Sequence, residues 1–333
     1  MDDLSNRISS NFTDCTNELP FEELNIVAAN KMFDCIITYS CGSFYKTGML
    51  AAVDTSIVIN DHALFIRKLE TINKTSTGHI RLAVSITLPF QYSIQAVMKA
   101  SLCIGKNQTI PQEIFTLCEK SLMSDVTSSR LKLASIYFSA CRFEEAAAIL
   151  KQVDALLSNK IIICLSPFIL NKNHKFGSEM MGRRKKEVID ILQKEVALCT
   201  IFSRHEIICV PGQLVAEFYR TITVEDSGFR LRSDFWMDLA VVDSLSYLYY
   251  LQYLTFRTTG LLSDKDSAFT NPYSKYREYH TETSLNLIGH CCELEGHLLE
   301  AWVVYKMSVN LRPQNNAAYW HMFSIIGGLI MGL

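Results

Sequence analysis

Near its end the chain carries two apolar-periodic segments joined at a glycine, with small residues where two helices so joined must cross. Leu285, Ile288, Gly289 and Cys292 fall on one face of the first segment, and Gly296 stands at the turn. Ala301 and Tyr305 mark the second segment, and Pro313 ends it. Residues at these intervals share a face of an α-helix. A glycine and an alanine at the crossing let the two backbones approach, and a proline stops the second helix. A looser copy begins at Asp125. Thr127 or Ser128 is placed to cap a helix, with Leu133, Ala134 and Tyr137 in the matching positions. After a break at Arg142, a second helix follows with Ala146 and Leu150 facing inward, and Cys141 occupies the place of the turn glycine.

This spacing is that of the tetratricopeptide repeat. A regular solenoid needs about three adjacent repeats to bury a continuous core, whereas these two units stand more than a hundred residues apart in the sequence. The expected fold is therefore all-α, an irregular helical array of antiparallel helix hairpins, tetratricopeptide-like. Residues 1–20 read as a flexible N-terminus and 21–122 as an N-terminal helical region. Residues 123–333 read as the degenerate repeat domain, with an irregular insertion at about 158–183 that includes a strand-like run, Ile161–Leu165.

Within that frame, helices are expected over Asp61–Ile72, Pro89–Cys103 and Pro111–Leu122, each proline in a first turn where its missing N–H costs nothing. Lys185–Ile201 and Pro211–Thr221 also read as helix, Ile207–Val210 as extended, and Asp226-Ser227-Gly228 as a turn. Asp234 to about Thr258 reads as one long helix, apolar nearly all round and so central.

Charge and composition narrow the function. The chain has 32 basic and 34 acidic residues in 333, a net charge of −2, so no overall field attracts nucleic acid or anionic membrane. A hydrophobic fraction of 49% excludes a disordered chain. The mean hydropathy of +0.13 points to a large core or to an apolar face that a partner covers. No membrane span is expected: Phe235–Leu254 carries Asp238 and Asp243, and Phe323–Leu333 is far shorter than the roughly 20 residues a span needs. The start of the chain lacks a basic n-region and an apolar run, and its 11 cysteines form no CxxC pair, so a cytoplasmic location with free thiols is expected.

Four stretches carry a family resemblance: 125–135 (DVTSSRLKLAS), 234–245 (DFWMDLAVVDSL), 282–289 (ETSLNLIG) and 313–318 (PQNNAA). In order and spacing they resemble the helical C-terminal region of invertebrate proteins of the male-abnormal (Mab-twenty-one) family, relatives of cyclic GMP-AMP synthase-like receptors. The similarity covers roughly residues 90–320 and only the part that follows the nucleotidyltransferase core. In such enzymes a Gly-Ser holds the triphosphate and paired carboxylates hold the metal ions. Here Gly42-Ser43 is followed by Asp54 with Ser56 in place of the second carboxylate, so the resemblance implies a chain without that core. The expectation is a non-catalytic helical scaffold for a protein or peptide partner, linked to innate immune nucleotide sensing, with no cofactor and no nucleic acid. The alternatives are a diverged or inactive nucleotidyltransferase-type enzyme, or a fragment of a longer multidomain protein.

Other chemistry-bearing residues read as structural. His290, Glu293 and His297 share a helical face that suits zinc, but Cys292 fills a core position and Gly296 breaks the helix before His297. The basic run Arg183-Arg184-Lys185-Lys186 reads as a solvated helix start, or as an import signal. Asp234 reads as an N-cap, and Asp238 and Asp243 as partners of an arginine such as Arg230 or Arg232.

Overall fold

The computed structural model describes residues 54–158, 163–165, 185–230, 232–270 and 280–331. Helix dominates these residues, and strand is confined to three-residue segments. Helix α1 (Thr55–Thr75) starts at Asp54, whose carboxylate accepts the Ser56 N–H at 2.9 Å as an N-cap. Helix α2 (Gly78–Gly105) returns along α1, burying Val84 and Leu88 against Ile66 and Leu69. Pro89 lies inside α2 and not in its first turn. A mid-helix proline costs about 3 kcal/mol, but Val84, Ile86 and Leu88 are buried just before it, so packing carries the helix through. Pro111 does precede a helix, α3 (Gln112–Ser121), as its N-cap.

Two hairpins follow the spacing read from the sequence. Helices α4 (Ser128–Ser139) and α5 (Phe143–Ser158) turn at Cys141, which takes a left-handed backbone, φ +57°. The second hairpin pairs α11 (Thr281–Leu294) with α12 (Leu298–Leu311) and turns at Gly296, φ +80°. Pro313 stands two residues past α12, and the terminal helix α13 (Ala318–Met331) packs on the pair.

Between the hairpins the expected helices give way to short strands. Helix α6 (Lys185–Glu195) stops six residues before Ile201, and the chain continues as β2 (Val196–Leu198) and β3 (Thr200–Phe202). Strand β2 pairs in parallel with β1 (Ile163–Leu165), while β3 is antiparallel to β4 (Ala240–Val242). Residues 196–202 are buried almost without interruption, and such a run has no period to separate strand from buried helix. Ile207–Val210 is not extended: Arg204–Cys209 forms a 3₁₀ turn under a Ser203/Glu206 capping box. The segment from Pro211 is broken into α7 (Gly212–Val215) and a 3₁₀ turn, Ala216–Tyr219. Asp226-Ser227-Gly228 belongs to a short helix, α8 (Val224–Gly228).

The single helix expected over 234–258 is in fact three elements. A 3₁₀ segment (Arg232–Asp238) leads into β4, and α9 (Ser244–Thr259) begins only at Asp243. Asp243, and not Asp234, is the N-cap, accepting the Leu245 and Ser246 N–H groups at 3.0 and 3.1 Å. Helix α9 is central, as its all-round apolarity requires: Tyr247, Leu248, Tyr250, Leu251 and Tyr253 are buried against Leu131 and Ala134 of α4 and Leu150 and Val153 of α5. Helix α10 (Leu262–Thr270), too polar to show a period, completes this part.

The two hairpin turns make opposite predictions. A side chain with a left-handed backbone is strained by about 1 kcal/mol, and Cys141 is exposed with no packing role to offset it. Cys141→Gly is therefore expected to raise unfolding stability by about that amount, and Gly296→Ala to lower it similarly, both read from urea midpoints.

Candidate functional site

The last hairpin is held by a contact that only glycine permits. A Cβ on Gly289 would lie 2.5 Å from Cε1 of Tyr305, so the tyrosine ring fills the space beside the bare α11 backbone. Tyr305 is fully buried and its hydroxyl donates to Glu293. Gln213 donates to that hydroxyl at 3.1 Å, and the His321 ring stacks on Tyr305 at 5.1 Å. Ala301 and Cys292 are buried in the same cluster, and Leu285 is half-buried. In the first hairpin Ala134, Ala146 and Leu150 are wholly buried, Leu133 nearly so, and Tyr137 stacks on Phe115 at 5.4 Å.

Behind the last hairpin lies a closed ionic cluster. Glu217 and Arg220 pair at 2.9 Å with each side chain 1% exposed, deep enough that an unpaired member would destabilise the fold. Arg220 also donates to the Leu239 carbonyl at 3.0 Å. Asn286 of α11 donates to Glu217 at 2.8 Å, which ties the hairpin to the Ala216–Tyr219 turn. The Arg220 and Arg312 guanidiniums each lie 5.1 Å from the Trp236 ring, and His280 meets that ring edge-on at 4.8 Å. Burial works against ionisation of Glu282, but His280 beside it, with Arg312 and Arg220, outweighs burial and holds its carboxyl down at about 2.

Two further buried groups escape a reading by pattern. Lys132 on α4 pairs with Glu206 at 2.6 Å and sits 5.1 Å from the Phe202 ring. Asp125 accepts from the Ser124 hydroxyl, the Ser128 N–H and hydroxyl, and the Leu198 N–H of β2 at 2.9 Å. Glu206 lies 74 residues from Lys132 and Leu198 lies 73 from Asp125, so only the signal Asp-x-Thr-Ser before an apolar run hints at the second group.

The remaining sequence candidates do not converge. The His290 ring hydrogen-bonds the Tyr250 hydroxyl at 2.8 Å, and burial, with Arg257, pushes it down to about 4. Glu293 turns instead to Tyr305, and His297 is exposed at the start of α12. Among the described residues no group of three His, Cys, Asp or Glu is arranged to hold a metal ion. Asp238 pairs with Arg230 at 2.9 Å. Burial pushes the Cys118 thiol up to about 12 and so away from reactivity. Gly42, Ser43, Arg183 and Arg184 lie outside the described residues, and Asp54 is engaged as the α1 cap. No helix among the described residues is long and apolar enough to cross a membrane.

The apolar surface gathers on the last two helices. On α12, Leu299, Val303, Met307 and Leu311 recur every fourth residue and are 74%, 50%, 43% and 61% exposed. On α13, Trp320, Phe323, Ile330 and Met331 are likewise exposed. No family model, curated protein or solved structure matches this chain.

Two measurements follow from the buried contacts. Gly289→Ala is expected to cost about 1–3 kcal/mol by overpacking against Tyr305, and much less in a Tyr305→Leu background, a coupling that a double-mutant cycle in urea reads directly. Glu282, depressed in the folded state, contributes stability that is in place above about pH 4.5 and is lost as pH falls toward 2. Glu282→Gln is expected to flatten the acid limb of the stability curve in that window, by up to about 3 kcal/mol.

Proposed function

We propose that this chain is a non-catalytic, tetratricopeptide-like helical scaffold that binds a protein or peptide partner along α12. The α12 ridge carries the reading. Leu299, Val303, Met307 and Leu311 form an unbroken apolar row on the outer face of the last hairpin. Glu300 and Lys306, both exposed, flank Val303 on opposite sides of that row. An apolar row with a charged rim is the arrangement by which an amphipathic helix is received, the row giving affinity and the rim selecting the partner.

The non-catalytic half of the proposal draws support from the buried charges. Lys132 pairs with Glu206, Arg220 with Glu217, and Asp125 takes backbone and hydroxyl donors, so each of these charges is engaged within the packing. The four stretches that resemble the helical region of cyclic GMP-AMP synthase-like receptors support a cytoplasmic role alongside nucleotide-sensing proteins of innate immunity. In that setting the scaffold is the docking part, and a separate core supplies the chemistry.

A photo-crosslinking amino acid at Leu299 or Val303, in cells that express the chain, is the direct test. The expected result is a discrete protein adduct at both positions, absent from a control at exposed Lys68 on α1 and abolished by Met307→Glu. Adducts no different from those at Lys68 would remove the proposal.

A further inference from the structure

One position on α1 breaks its apolar inner row. Val58, Ile59, Ile66 and Leu69 are buried, and between them lies His62, 5% exposed. Val58 and Ile59 pack on Met98, and Ile66 and Leu69 on Val84 and Leu88, so the histidine sits midway along the α1–α2 contact. Its ring is held on both sides by α2. Nδ1 meets Oε1 of Gln95 at 2.7 Å, and Nε2 meets Oε1 of Gln91 at 2.8 Å. Both glutamines are buried, and at this spacing they share a face of the helix.

The two glutamines are not equivalent. Gln95 donates its own Nε2 to the Ile59 carbonyl at 3.1 Å, which fixes its amide with the oxygen toward the ring. Nδ1 therefore carries a proton whether the ring is neutral or charged. An amide oxygen at Nε2 as well calls for a second ring proton, which makes the imidazolium. Burial opposes that charge and, outweighing both glutamines, pushes the ring's acid constant below the ordinary histidine value. Glu206 of the 3₁₀ turn and Lys132 of α4 face the ring from other elements, and as an ion pair they act on it in opposite senses. His205 of the same turn meets Oγ1 of Thr55 at the start of α1, at 3.3 Å. A half-turn of the Gln91 amide reconciles the geometry with burial, because its NH2 group then donates to Nε2 of a neutral ring.

We propose that His62 is an acid-operated latch between α1 and α2, neutral when the Gln91 amide donates to Nε2 and charged when the Gln91 oxygen turns to it. A solvent proton adds to the Nε2 lone pair, and no other covalent bond changes. Charging the ring sets a second cation among buried groups that already include Lys132, so the α1–α2 contact weakens as the proton binds. The sign follows from linkage. With the folded-state value below the ordinary 6.5, the contribution of His62 to stability is complete above pH 6.5 and is lost as pH falls below it.

Nitrogen-15 NMR of the ring in the full chain, titrated from about pH 8 to about pH 4, tests the latch, with amide exchange of α1 and α9 followed over the same range. The expected ring is the neutral Nδ1–H tautomer at the upper end and the imidazolium at the lower. Exchange from α1 is expected to rise about tenfold relative to α9 as the ring charges, the equivalent of about one pH unit of linkage. Gln91→Glu is expected to raise the ring's titration midpoint by about one pH unit, since a carboxylate favours the charged form. His62→Gln is expected to remove the pH dependence of α1 exchange. A neutral ring in the Nε2–H tautomer, or a ring that keeps one charge across the whole range, overturns the proposal, and neither reading needs a variant. Exchange from α1 that does not follow the ring overturns it too. So does a pH dependence that survives His62→Gln, which would pass the role to His205, or a midpoint that Gln91→Glu leaves in place.

Discussion

The carboxylate of Asp125 holds together parts of the chain that are far apart in sequence. It takes the Ser128 N–H at the start of α4 and also the Leu198 N–H at the end of β2, 73 residues from Asp125 itself. The Thr127 hydroxyl beside it reaches Ser244 at 3.1 Å, and Ser244 donates in turn to the Leu198 carbonyl. Hairpin, strand and central helix therefore begin or end at one wholly buried node. A carboxylate with no access to water destabilises a fold by several kcal/mol unless donors surround it. Those donors come from separate elements, so the node forms only once α4, β2 and α9 have assembled. Asp125 acts less as a local cap than as a condition on the tertiary fold.

The same logic recurs on both sides of it. Lys132 is on the second turn of α4, yet its ammonium is buried against Glu206, which also closes the capping box at Ser203. Arg220 and Glu217 do for the last hairpin what Lys132 and Glu206 do for the first, fixing the Ala216–Tyr219 turn against α11 through Asn286. Buried ion pairs add little net stability over apolar residues of the same size. What they add is register: a hairpin shifted by one helical turn leaves a charge without its partner, whereas apolar contacts tolerate the shift.

Legibility in the sequence follows the same division. The hairpins were readable because helix crossing imposes local rules, a small residue at the contact and a left-handed residue at the turn. Cys141 and Gly296 obey the second rule although only one is a glycine. The stretches 196–202 and 240–242 were not readable as strand. Both of their faces are buried, and a uniformly apolar run loses the alternation that distinguishes the two structures. Pro89 misled because a local cost was weighed without the packing of Val84 and Leu88 that outweighs it. The buried charges were invisible for a related reason. Lys132 and Arg220 look like solvated side chains until Glu206 and Glu217 are brought beside them, and only the fold does that.

The apolar surplus that the composition registers is distributed unevenly, and this matters more than its size. Single exposed residues such as Ile57, Leu64 and Ile208 are ordinary for any protein surface. On α12 and α13 the exposed apolar residues are instead consecutive along helical rows, and the two rows differ in their borders. The α12 row has exposed Glu300 on one side and exposed Lys306 on the other, so both signs of charge border it. The α13 helix holds no charged residue at all. Charge at a rim selects among partners by excluding those with the wrong sign, while an uncharged face selects only by shape. The α12 border can therefore discriminate by charge, and the α13 surface by shape alone.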